Sequence, residues 1–391
     1  MARLLTLLFA VLGAGSALAQ QPALQPKDLG KSEDFLQQPK PHLDPGKPQP
    51  PASGPIVAAC FSPDGKWFLT ADFLCRVSLW RADADKPDWT VQTTTETFTW
   101  AVYKVPYSPL GLAFAADGKR ALVAWGLAVA EIDRGTGKVV RTTKLPGPAA
   151  TQGGDTSPRV AFLPGSDECV YHGRFGEDAR LVRFDFKAQK RHPKFDMLLS
   201  RHDLRVVVSP DGKRVLACGN GFFLGEWELD TGELCKLFGG LGEKVGDAGY
   251  TPDGEKVWVH LEPFTVLDRT SGKRVAQPGV LGKYAGWVGL APDGKRGLGQ
   301  PWGGGKDLLD VIRVSDGEVL RRFSSEGLFF EKRKPWDDTN DEWSPNPGVV
   351  AFAPDGKTVL LTAGDGPKGA ARLGIWELDT GKRLRTLTHK P

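Results

Sequence analysis

A short recurring phrase constrains the fold of this chain more than any other feature. An apolar run leads into Ser, Ala or Thr, then Pro-Asp-Gly and usually Lys, and a second apolar run follows. Clear copies occupy 61–66, 208–213, 250–255, 290–295 and 352–357, and looser copies occupy 114–119 and 162–167. Proline presets the first corner of a type I turn, aspartate bonds back to the backbone, and glycine takes the left-handed position. Each copy therefore predicts a hairpin between two short strands.

A second phrase follows the first at a fixed distance. It is an apolar strand ending in Asp-x-Thr-Gly-Lys or a relative, at 133–138, 228–233, 268–273, 315–318 and 377–382. This phrase predicts the turn between a third and a fourth strand, so each unit has four antiparallel strands. Seven units over 55–391 give roughly 48 residues each, close to the length of a propeller blade.

One four-stranded sheet cannot bury both of its faces, whereas sheets stacked around an axis bury them and leave only short edges. The sequence therefore predicts an all-β, seven-bladed β-propeller of four-stranded antiparallel blades over 55–391. A propeller of six blades is the alternative, because residues 159–198 match the repeat only weakly. The last unit carries its own fourth strand at 383–388. The ring could thus close edge to edge, or the segment before the first unit could add a strand.

The first 54 residues differ from the repeats. Arg3 precedes an apolar run at 4–12, and Ala17-Leu18-Ala19 fits the small-residue rule for cleavage. This predicts a signal peptide at 1–19, cleaved near Ala19, and a periplasmic or extracellular protein. The proline-rich 20–54 segment predicts an extended linker. No later window is long and apolar enough to predict a membrane span.

Tryptophan ends three of the predicted third strands, at 77–80, 224–227 and 373–376. With the Pro-Asp-Gly turns, these strands make 55–391 resemble the WD-repeat β-propeller family, as a divergent secreted member of bacterial type. The sequence departs from the family pattern because no Gly-His dipeptide precedes a unit. In addition, Arg81, Glu228 and Glu377 follow the tryptophans where the family has aspartate. We therefore do not expect the family's buried His–Asp–Trp hydrogen-bond network.

Composition and spacing argue against several function classes. The formal net charge is only +4, and Lys and Arg are spread along the chain, so the sequence predicts no nucleic-acid partner. The six histidines show no ligand spacing, and no Gly-x-Ser-x-Gly motif occurs, so we expect neither a metal nor a cofactor.

Five cysteines leave at least one unpaired within the chain. Cys60 and Cys75 fall in one predicted blade and could pair if their strands are adjacent. Cys169, Cys218 and Cys235 are predicted to be ordinary buried thiols.

The predicted strand order places both recurring turns on one face of the disk and the longer loops on the other. These loops are 93–109, 146–158, 300–307, 324–347 and 364–371. Long loops on a rigid scaffold are typical of a binding surface.

Aromatic and acidic residues of these loops are the candidate partner-binding residues, because exposed aromatics among charges are common anchors at interfaces. They are Trp100, Tyr103, Trp302, Phe329, Phe330, Trp336, Asp337, Asp338, Asp341 and Trp343. The same aromatics could instead plug the insertions onto the propeller. The aspartates lack the glycine and terminal glutamate of a helix-loop-helix calcium site.

These patterns predict an exported interaction or scaffold module, and not an enzyme, that binds a protein or other ligand through its loop-rich face. The alternative is a propeller enzyme, either lactonase-like or a quinone-dependent dehydrogenase. Quinone-dependent propellers usually place a docking tryptophan after the second turn, where this chain has Leu234, Val275 and Leu384. The sequence does not reveal the partner or the oligomeric state.

Overall fold

Every regular element that the structure describes is a β-strand. The structure is a computed structural model that describes 56–389, except for 101–102, 107–108, 116, 127, 147–159, 176–177, 200–203, 220–222, 240, 242–244, 246, 262–263, 277–283, 302–306, 325–349 and 363–370. These described residues all belong to the second of the two units into which the chain divides, 51–391.

Seven four-stranded antiparallel sheets form the seven blades of a β-propeller, as predicted, and are numbered here in chain order. Blade 1 is β1 (Ile56–Phe61), β2 (Trp67–Asp72), β3 (Arg76–Arg81) and β4 (Pro87–Gln92). A separate two-stranded ribbon follows, β5 (Thr97–Trp100) and β6 (Tyr103–Pro106). Blade 2 is β7 (Pro109–Phe114), β8 (Arg120–Trp125), β9 (Ala128–Asp133) and β10 (Val139–Lys144). Blade 3 is β11 (Val160–Phe162), β12 (Glu168–Phe175), β13 (Asp178–Asp185) and β14 (Lys190–Leu199).

The remaining four blades follow in the same way. Blade 4 is β15 (Leu204–Val208), β16 (Arg214–Gly219), β17 (Phe223–Glu228) and β18 (Leu234–Leu237). Blade 5 is β19 (Asp247–Tyr250), β20 (Lys256–His260), β21 (Thr265–Asp268) and β22 (Arg274–Ala276). Blade 6 is β23 (Tyr284–Leu290), β24 (Arg296–Pro301), β25 (Asp307–Arg313) and β26 (Val319–Ser324). Blade 7 is β27 (Val350–Phe352), β28 (Thr358–Thr362), β29 (Ala371–Glu377) and β30 (Arg383–His389).

The Pro-Asp-Gly phrase forms the hairpin between the first two strands of a blade, as predicted. In blade 1 the amide of Gly65 donates to the carbonyl of Ser62 at 2.9 Å, and Gly65 has a φ of 68°. The third blade differs, because its left-handed residue comes one position earlier, at Gly165 with a φ of 74°. Proline followed by a left-handed glycine is the type II arrangement, so blade 3 turns with different chemistry at the same place.

The second phrase forms the hairpin between the third and fourth strands in blades 2, 4, 5, 6 and 7, each time with a left-handed glycine, whereas blades 1 and 3 turn without one. In blade 3 the left-handed position is held by Gln189, with a φ of 58°. This conformation costs a residue with a Cβ about 1–2 kcal/mol. The side-chain amide of Gln189 donates to Thr143 Oγ1 of blade 2 at 3.1 Å. This hydrogen bond between blades helps to hold the strained residue in place.

The core is a series of apolar layers, each shared by two neighbouring blades. The layer between blades 1 and 2 contains Leu69 and Leu79, whereas Phe68 and Trp80 of the same strands lie in the layer between blades 1 and 7. Successive side chains of a strand point to opposite faces, so each blade supplies alternate residues to its two neighbours. The described residues form seven such layers, one for each junction of the ring.

The ring closes edge to edge, which was one of the two predicted modes. Blade 7 contains its own fourth strand, β30, and that strand pairs with β29. The guanidinium of Arg385 donates to the carbonyl of Ala82 at 2.7 Å and to Asp85 Oδ1 at 2.9 Å, which joins blade 7 to blade 1. Blades 7 and 1 are also in contact on the side of the Pro-Asp-Gly turns. There the Cδ of Pro354 lies 3.6 Å from the position that a Cβ on Gly65 would occupy.

The third-strand tryptophans are held by interactions other than the family's His–Asp–Trp network. The indole N–H of the fully buried Trp80 donates to Thr70 Oγ1 at 3.0 Å. In blade 7 the indole of Trp376 lies over the backbone of Gly374, where a Cβ would stand only 2.0 Å from the ring. The Gly-x-Trp pattern in two of these strands therefore makes room for the ring two residues later.

Glycine at 232 is required by the contact between blades 3 and 4 as well as by its φ of 73°. A Cβ there would stand 2.1 Å from the carbonyl oxygen of Lys194, whereas nothing lies within 4 Å of a Cβ at Gly118, whose φ is 60°. We expect Gly118→Ala to lower the free energy of unfolding by about 1 kcal/mol. Gly232→Ala should lower it by roughly 2 kcal/mol more, since overpacking adds to the strain.

Urea midpoints of the two variants and the parent chain would measure this difference. Equal losses in the two variants would show that the turn of blade 4 does not press on blade 3, and that the junction is looser than the structure indicates.

Candidate functional site on the loop face

Two faces of the disk are distinguished by a hydrogen bond that recurs in all seven blades. The amide of the residue directly after each third strand donates to the carbonyl of the residue that ends the first recurring phrase. Examples are Ala82 to Lys66 at 2.8 Å and Leu378 to Lys357 at 2.8 Å. Both hairpin turns of a blade therefore lie on one face, here called the turn face. Loops between second and third strands, and between blades, lie on the opposite face, here called the loop face.

The polar groups of the turn face form hydrogen bonds within the turns themselves. The hydroxyl of Ser62 donates to Asp64 Oδ1 at 2.5 Å, and the amide of Lys66 donates to the same oxygen at 3.1 Å. These bonds, the hydroxyl first, hold the pKa of Asp64 below its ordinary value. The pKa values of Asp211 and Asp253 are lowered by the same arrangement. Carboxylates that are satisfied within their own turn serve the fold, so the turn face offers little free chemistry.

Buried ionisable residues also belong to the scaffold. One pair recurs at equivalent positions, the first residue of a second strand and a residue inside the third strand. It is Arg120 with Glu131 in blade 2, Glu168 with Arg183 in blade 3, and Arg214 with Glu226 in blade 4. Blade 3 carries the same pair with the charges exchanged. Its Arg183 Nη2 lies 2.6 Å from Glu168 Oε2. The buried carboxylates of Glu131 and Glu226 and the partly buried one of Glu168 are therefore paired, which offsets the cost of removing them from water.

These pairs extend across the junctions between blades. Arg120 Nη2 lies 2.8 Å from Asp167 Oδ1 of blade 3, and Arg183 Nη1 lies 2.8 Å from Asp230 Oδ1 of blade 4. The hydroxyl of Tyr250 donates to Glu226 at 3.0 Å across the next junction. Burial first and this carboxylate second raise the pKa of Tyr250. These groups hold neighbouring blades in register and are not catalytic candidates.

The loop face begins, in blade 1, with a rigid turn that the sequence analysis missed. Asp72 is fully buried, and its Oδ1 accepts from the amides of Leu74 at 3.0 Å and Arg76 at 2.9 Å. Its other oxygen accepts from Arg76 Nε at 2.7 Å. Cys75 is held at a φ of 59°, a conformation that non-glycine residues adopt only when their surroundings impose it. An aspartate at the end of an apolar strand with an arginine four residues later was the signal in the sequence.

The same turn is fastened to the chain that leaves blade 1. The hydroxyl of Thr93 donates to the carbonyl of Cys75 at 2.8 Å. The side-chain amide of Gln92 donates to the carbonyls of Leu74 at 2.5 Å and Thr94 at 2.6 Å. The segment from 92 to 94 is thereby fixed just before the β5–β6 ribbon, which gives the ribbon a rigid base.

The predicted loop at 93–109 contains this ribbon rather than irregular backbone. Its register pairs Trp100 with Tyr103 and Phe98 with Val105. Cross-strand partners, and residues two apart in a strand, share a face of a two-stranded ribbon. Two of the predicted site residues, Trp100 and Tyr103, are thus cross-strand partners at the end of the ribbon. The alternation of threonine with aromatic residues at 97–100 was the sequence signal for a strand.

The other predicted site residues lie outside the described residues. They are Trp302, Phe329, Phe330, Trp336, Asp337, Asp338, Asp341 and Trp343. The start of one further predicted loop is fixed, because the hydroxyl of Tyr171 donates to the carbonyl of Pro146 at 2.6 Å.

The remaining question for this face concerns His172 and possible metal ligands. His172 lies inside β12, and burial lowers its pKa to about 4. It is therefore neutral near pH 7. Nowhere in the described ranges do three or more His, Cys, Asp or Glu side chains group so as to hold a metal ion. Those ranges also contain no helix with the length and apolar character of a membrane span.

All five cysteines are free thiols in the structure, so Cys60 and Cys75 do not pair. They stand at opposite ends of blade 1, since Cys60 lies near the Pro-Asp-Gly turn and Cys75 lies in the loop-face turn. Burial raises the pKa of both thiols to about 12. Cys235 was wrongly predicted to be buried. It is exposed on β18, because that outermost strand has no neighbour on its outer side among the described residues.

We expect one thiol in five to react quickly with a maleimide reagent on the folded protein at pH 8. That thiol is Cys235, because it is the exposed one, whereas Cys60 is partly buried and the other three are buried. Desolvation raises the pKa of Cys235, so its labelling should be faster still above pH 8, where more of the thiol is ionised. Cys235→Ser should abolish the fast phase, and Cys60→Ser, the matched control, should leave it unchanged. Mass spectrometry of the labelled protein would identify the site. Fast labelling at Cys60 or Cys75 would contradict the packing described for blade 1.

Comparison with known families matches one of the seven blades. Residues 49–81 match the family model described as WD domain, G-beta repeat. The matched stretch includes β1 to β3, with the Pro63-Asp64-Gly65 turn and the third strand that carries Trp80. Comparison with curated proteins finds no significant match.

Proposed function

This chain is a WD-repeat β-propeller, and we propose that it is an exported interaction scaffold that binds a partner protein through its loop face. The fold is consistent with a protein-interaction scaffold. The ring is a rigid scaffold. The polar groups of its turn face are hydrogen-bonded within the turns, so the connections that differ in length and composition lie on the opposite face.

The observation that carries this proposal is the β5–β6 ribbon. It is an addition to the seven blades, and it leaves the ring between blades 1 and 2 on the loop face. An isolated two-stranded ribbon is at best marginally stable in water, so a ribbon retained on a surface needs something to pack against. Its base is fixed by Gln92 and Thr93, and its register makes Trp100 and Tyr103 cross-strand partners. Aromatic side chains on a rigid support are favoured anchors at interfaces.

The insertion at 324–347 adds to this surface in the proposal. Its Phe329, Phe330, Trp336 and Trp343 stand among acidic and basic residues, which is the composition of a partner surface. The strands that flank this connection, β26 and β27, end and begin on the loop face, and residues 325–349 lie outside the described residues. We infer that the ribbon and this insertion contact the same partner.

The amino-terminal sequence supports export. Arg3, the apolar run at 4–12 and Ala17-Leu18-Ala19 together fit a cleavable secretory signal. The proline-rich stretch at 20–54 would then be the spacer that precedes the propeller in the mature protein.

Replacing both aromatic residues of the ribbon by alanine, Trp100→Ala with Tyr103→Ala, should reduce partner capture at least about tenfold, a loss of roughly 1.4 kcal/mol. The control is the neighbouring cross-strand pair, Thr99→Ala with Lys104→Ala, which contains no aromatic residue. The full-length chain would serve as bait in its native exported fraction, and co-purifying proteins would be quantified. Thermal unfolding midpoints should agree within about 2 °C, since no blade is altered.

Two results would count against the ribbon as an anchor. One is an equal loss of capture in the control variant. The other is a fall in the unfolding midpoint that parallels the loss of capture, because that would mean that the aromatics only plug the ribbon onto the propeller.

Export predicts a mature chain that begins near Gln20. Expression of the full sequence in a secreting bacterial host, followed by intact-mass measurement of the periplasmic protein, should give the mass of the chain without residues 1–19. Ala17→Arg, which breaks the small-residue rule, should leave the precursor uncleaved. Full-length precursor in the cytoplasm from the unaltered sequence would refute the localisation.

A further inference from the structure

The outer strand of blade 3 departs from the pattern of the other six blades. With ten residues, β14 is the longest strand that the structure describes. Where the third and fourth strands pair in the other blades, the fourth strand has one extra residue, which is Asp88 in blade 1. In blade 3 it has three, because 192–195 stand opposite Arg183 alone. A bulge bends the strand that contains it, so the outer edge of blade 3 differs in shape from the other edges.

The hairpin formed by β13 and β14 is fixed to both neighbouring blades. Phe195 of the bulge is fully buried in the apolar layer between blades 3 and 4. The carbonyl oxygen of Lys194 lies 2.1 Å from the position that a Cβ on Gly232 of blade 4 would occupy. At the turn of the hairpin, Gln189 donates to Thr143 of blade 2. The backbone of this hairpin is therefore a rigid support for its exposed side chains.

The exposed charges of this hairpin are basic. Between Phe186 and Phe195 the chain contains no acidic residue and four cationic ones, of which the three lysines are exposed. These residues are Lys187, Lys190, Arg191 and Lys194. The hairpin thus carries a row of positive charges along one strand and its turn.

Lys187 stands where two other blades have an aspartate. The second residue after the third strand is Lys187 in blade 3, Asp230 in blade 4 and Asp379 in blade 7. Each of these aspartates pairs with an arginine of the preceding blade. The arginine that blade 2 directs toward blade 3, Arg120, pairs with Asp167 instead. A lysine at 187 is therefore not required to join the two blades.

The carboxylates beside the hairpin already have partners. Asp185 Oδ1 accepts from two backbone amides of its own turn, at 2.8 and 2.6 Å. Asp167 Oδ1 lies 2.8 Å from Arg120 Nη2, and Asp230 Oδ1 lies 2.8 Å from Arg183 Nη1. Groups that are paired in this way stabilise the ring and compete less for the lysines of the hairpin.

In the part of the chain that the structure describes, the ammonium groups of Lys190 and Lys194 form no ion pair. Lysines on an outer strand often serve to prevent pairing with another strand. Here the bulge already disrupts the edge, and Pro193 between them has no N–H to donate. The lysines are therefore not needed for that purpose, and a partner would meet their side chains and not an open backbone edge.

We propose that the hairpin at 187–194 binds an extended acidic segment of a partner protein, whose carboxylates pair with the three lysines. The turn of blade 4 that contacts the bulge contains Asp230 and Glu233, so the positive surface is limited to one hairpin. A narrow row of cations fits an anionic chain better than the plane of an anionic membrane. The hairpin lies apart from the loop face, so the proposal does not depend on binding there.

A short, fluorescently labelled peptide of glutamate residues is the probe, and fluorescence anisotropy with the full-length chain measures its binding. Binding should be saturable and should weaken as salt is added, because salt screens exposed charges. Lys190→Glu with Lys194→Glu should raise the dissociation constant at least about tenfold. Lys190→Arg with Lys194→Arg, which keeps the charge, should change it less than about threefold.

The matched control is Lys357→Glu with Lys382→Glu, two exposed lysines in the turns of blade 7. It changes the net charge by the same amount, and the dissociation constant should change less than about threefold. An equal loss in the control would overturn the proposal, because binding would then follow the net charge of the whole chain. Sedimentation with phosphatidylglycerol vesicles tests the other occupant. Vesicle binding that requires Lys190 and Lys194, without binding of the peptide, would assign the hairpin to a membrane surface instead.

Acetylation of lysines in the unaltered chain provides a readout that needs no variant. Bound peptide should slow the acetylation of Lys190 and Lys194, but not that of Lys357, as followed by mass spectrometry of the digested protein. This measurement keeps the proposal testable even if the charge-reversed variant fails to fold. Saturable peptide binding that leaves the two hairpin lysines unprotected would refute the site.

Discussion

The apolar layer between neighbouring blades is the interaction on which the rest of this structure depends. No blade has a core of its own, because alternate residues of each strand belong to the layers on its two sides. Phe68 and Trp80 pack toward blade 7, whereas Leu69 and Leu79 pack toward blade 2. A blade outside the ring would expose both sets to water, at about 25 cal/mol for each Å² of apolar surface. The ring must therefore close for any blade to be stable, and closure falls to the junction of blades 7 and 1.

The pairing of charged residues between strands and between blades follows from the same packing constraint. A charge placed in the layer needs a partner there, and blades 2, 3 and 4 each supply one at equivalent positions. Because only the pairing matters, blade 3 can carry it with the charges exchanged, as Glu168 with Arg183. The turns use up the polar groups of their own face. The longer connections, which the ring does not need for its own stability, lie on the loop face, and this is the surface for which we propose partner binding.

Much of the fold could be predicted because its signals are local. A Pro-Asp-Gly turn fixes a hairpin through residues that are adjacent in the chain, so its seven copies predict seven pairs of strands. The sequence was less informative where a contact with a neighbouring blade takes the place of a turn-forming residue. Gln189, for example, occupies a left-handed position without glycine, and its hydrogen bond to Thr143 of blade 2 helps to hold it there. The candidate site was harder. The pairing of Trp100 with Tyr103 depends on a strand register that was taken for a loop, and the turn around Asp72 was not recognised.

The sequence by itself determined the strand order within a blade and the face on which the turns lie, and it favoured seven blades over six, because turn chemistry and the two-residue alternation of strands act over a few neighbouring residues. Tertiary structure alone decided how the ring closes, which charges pair across junctions, and that Cys235 is exposed. Each of these depends on residues far apart in the chain, such as Arg385 and Ala82, which are separated by 303 positions. A linear pattern does not encode which blade edge such a residue will meet, since that depends on the curvature accumulated around the whole ring.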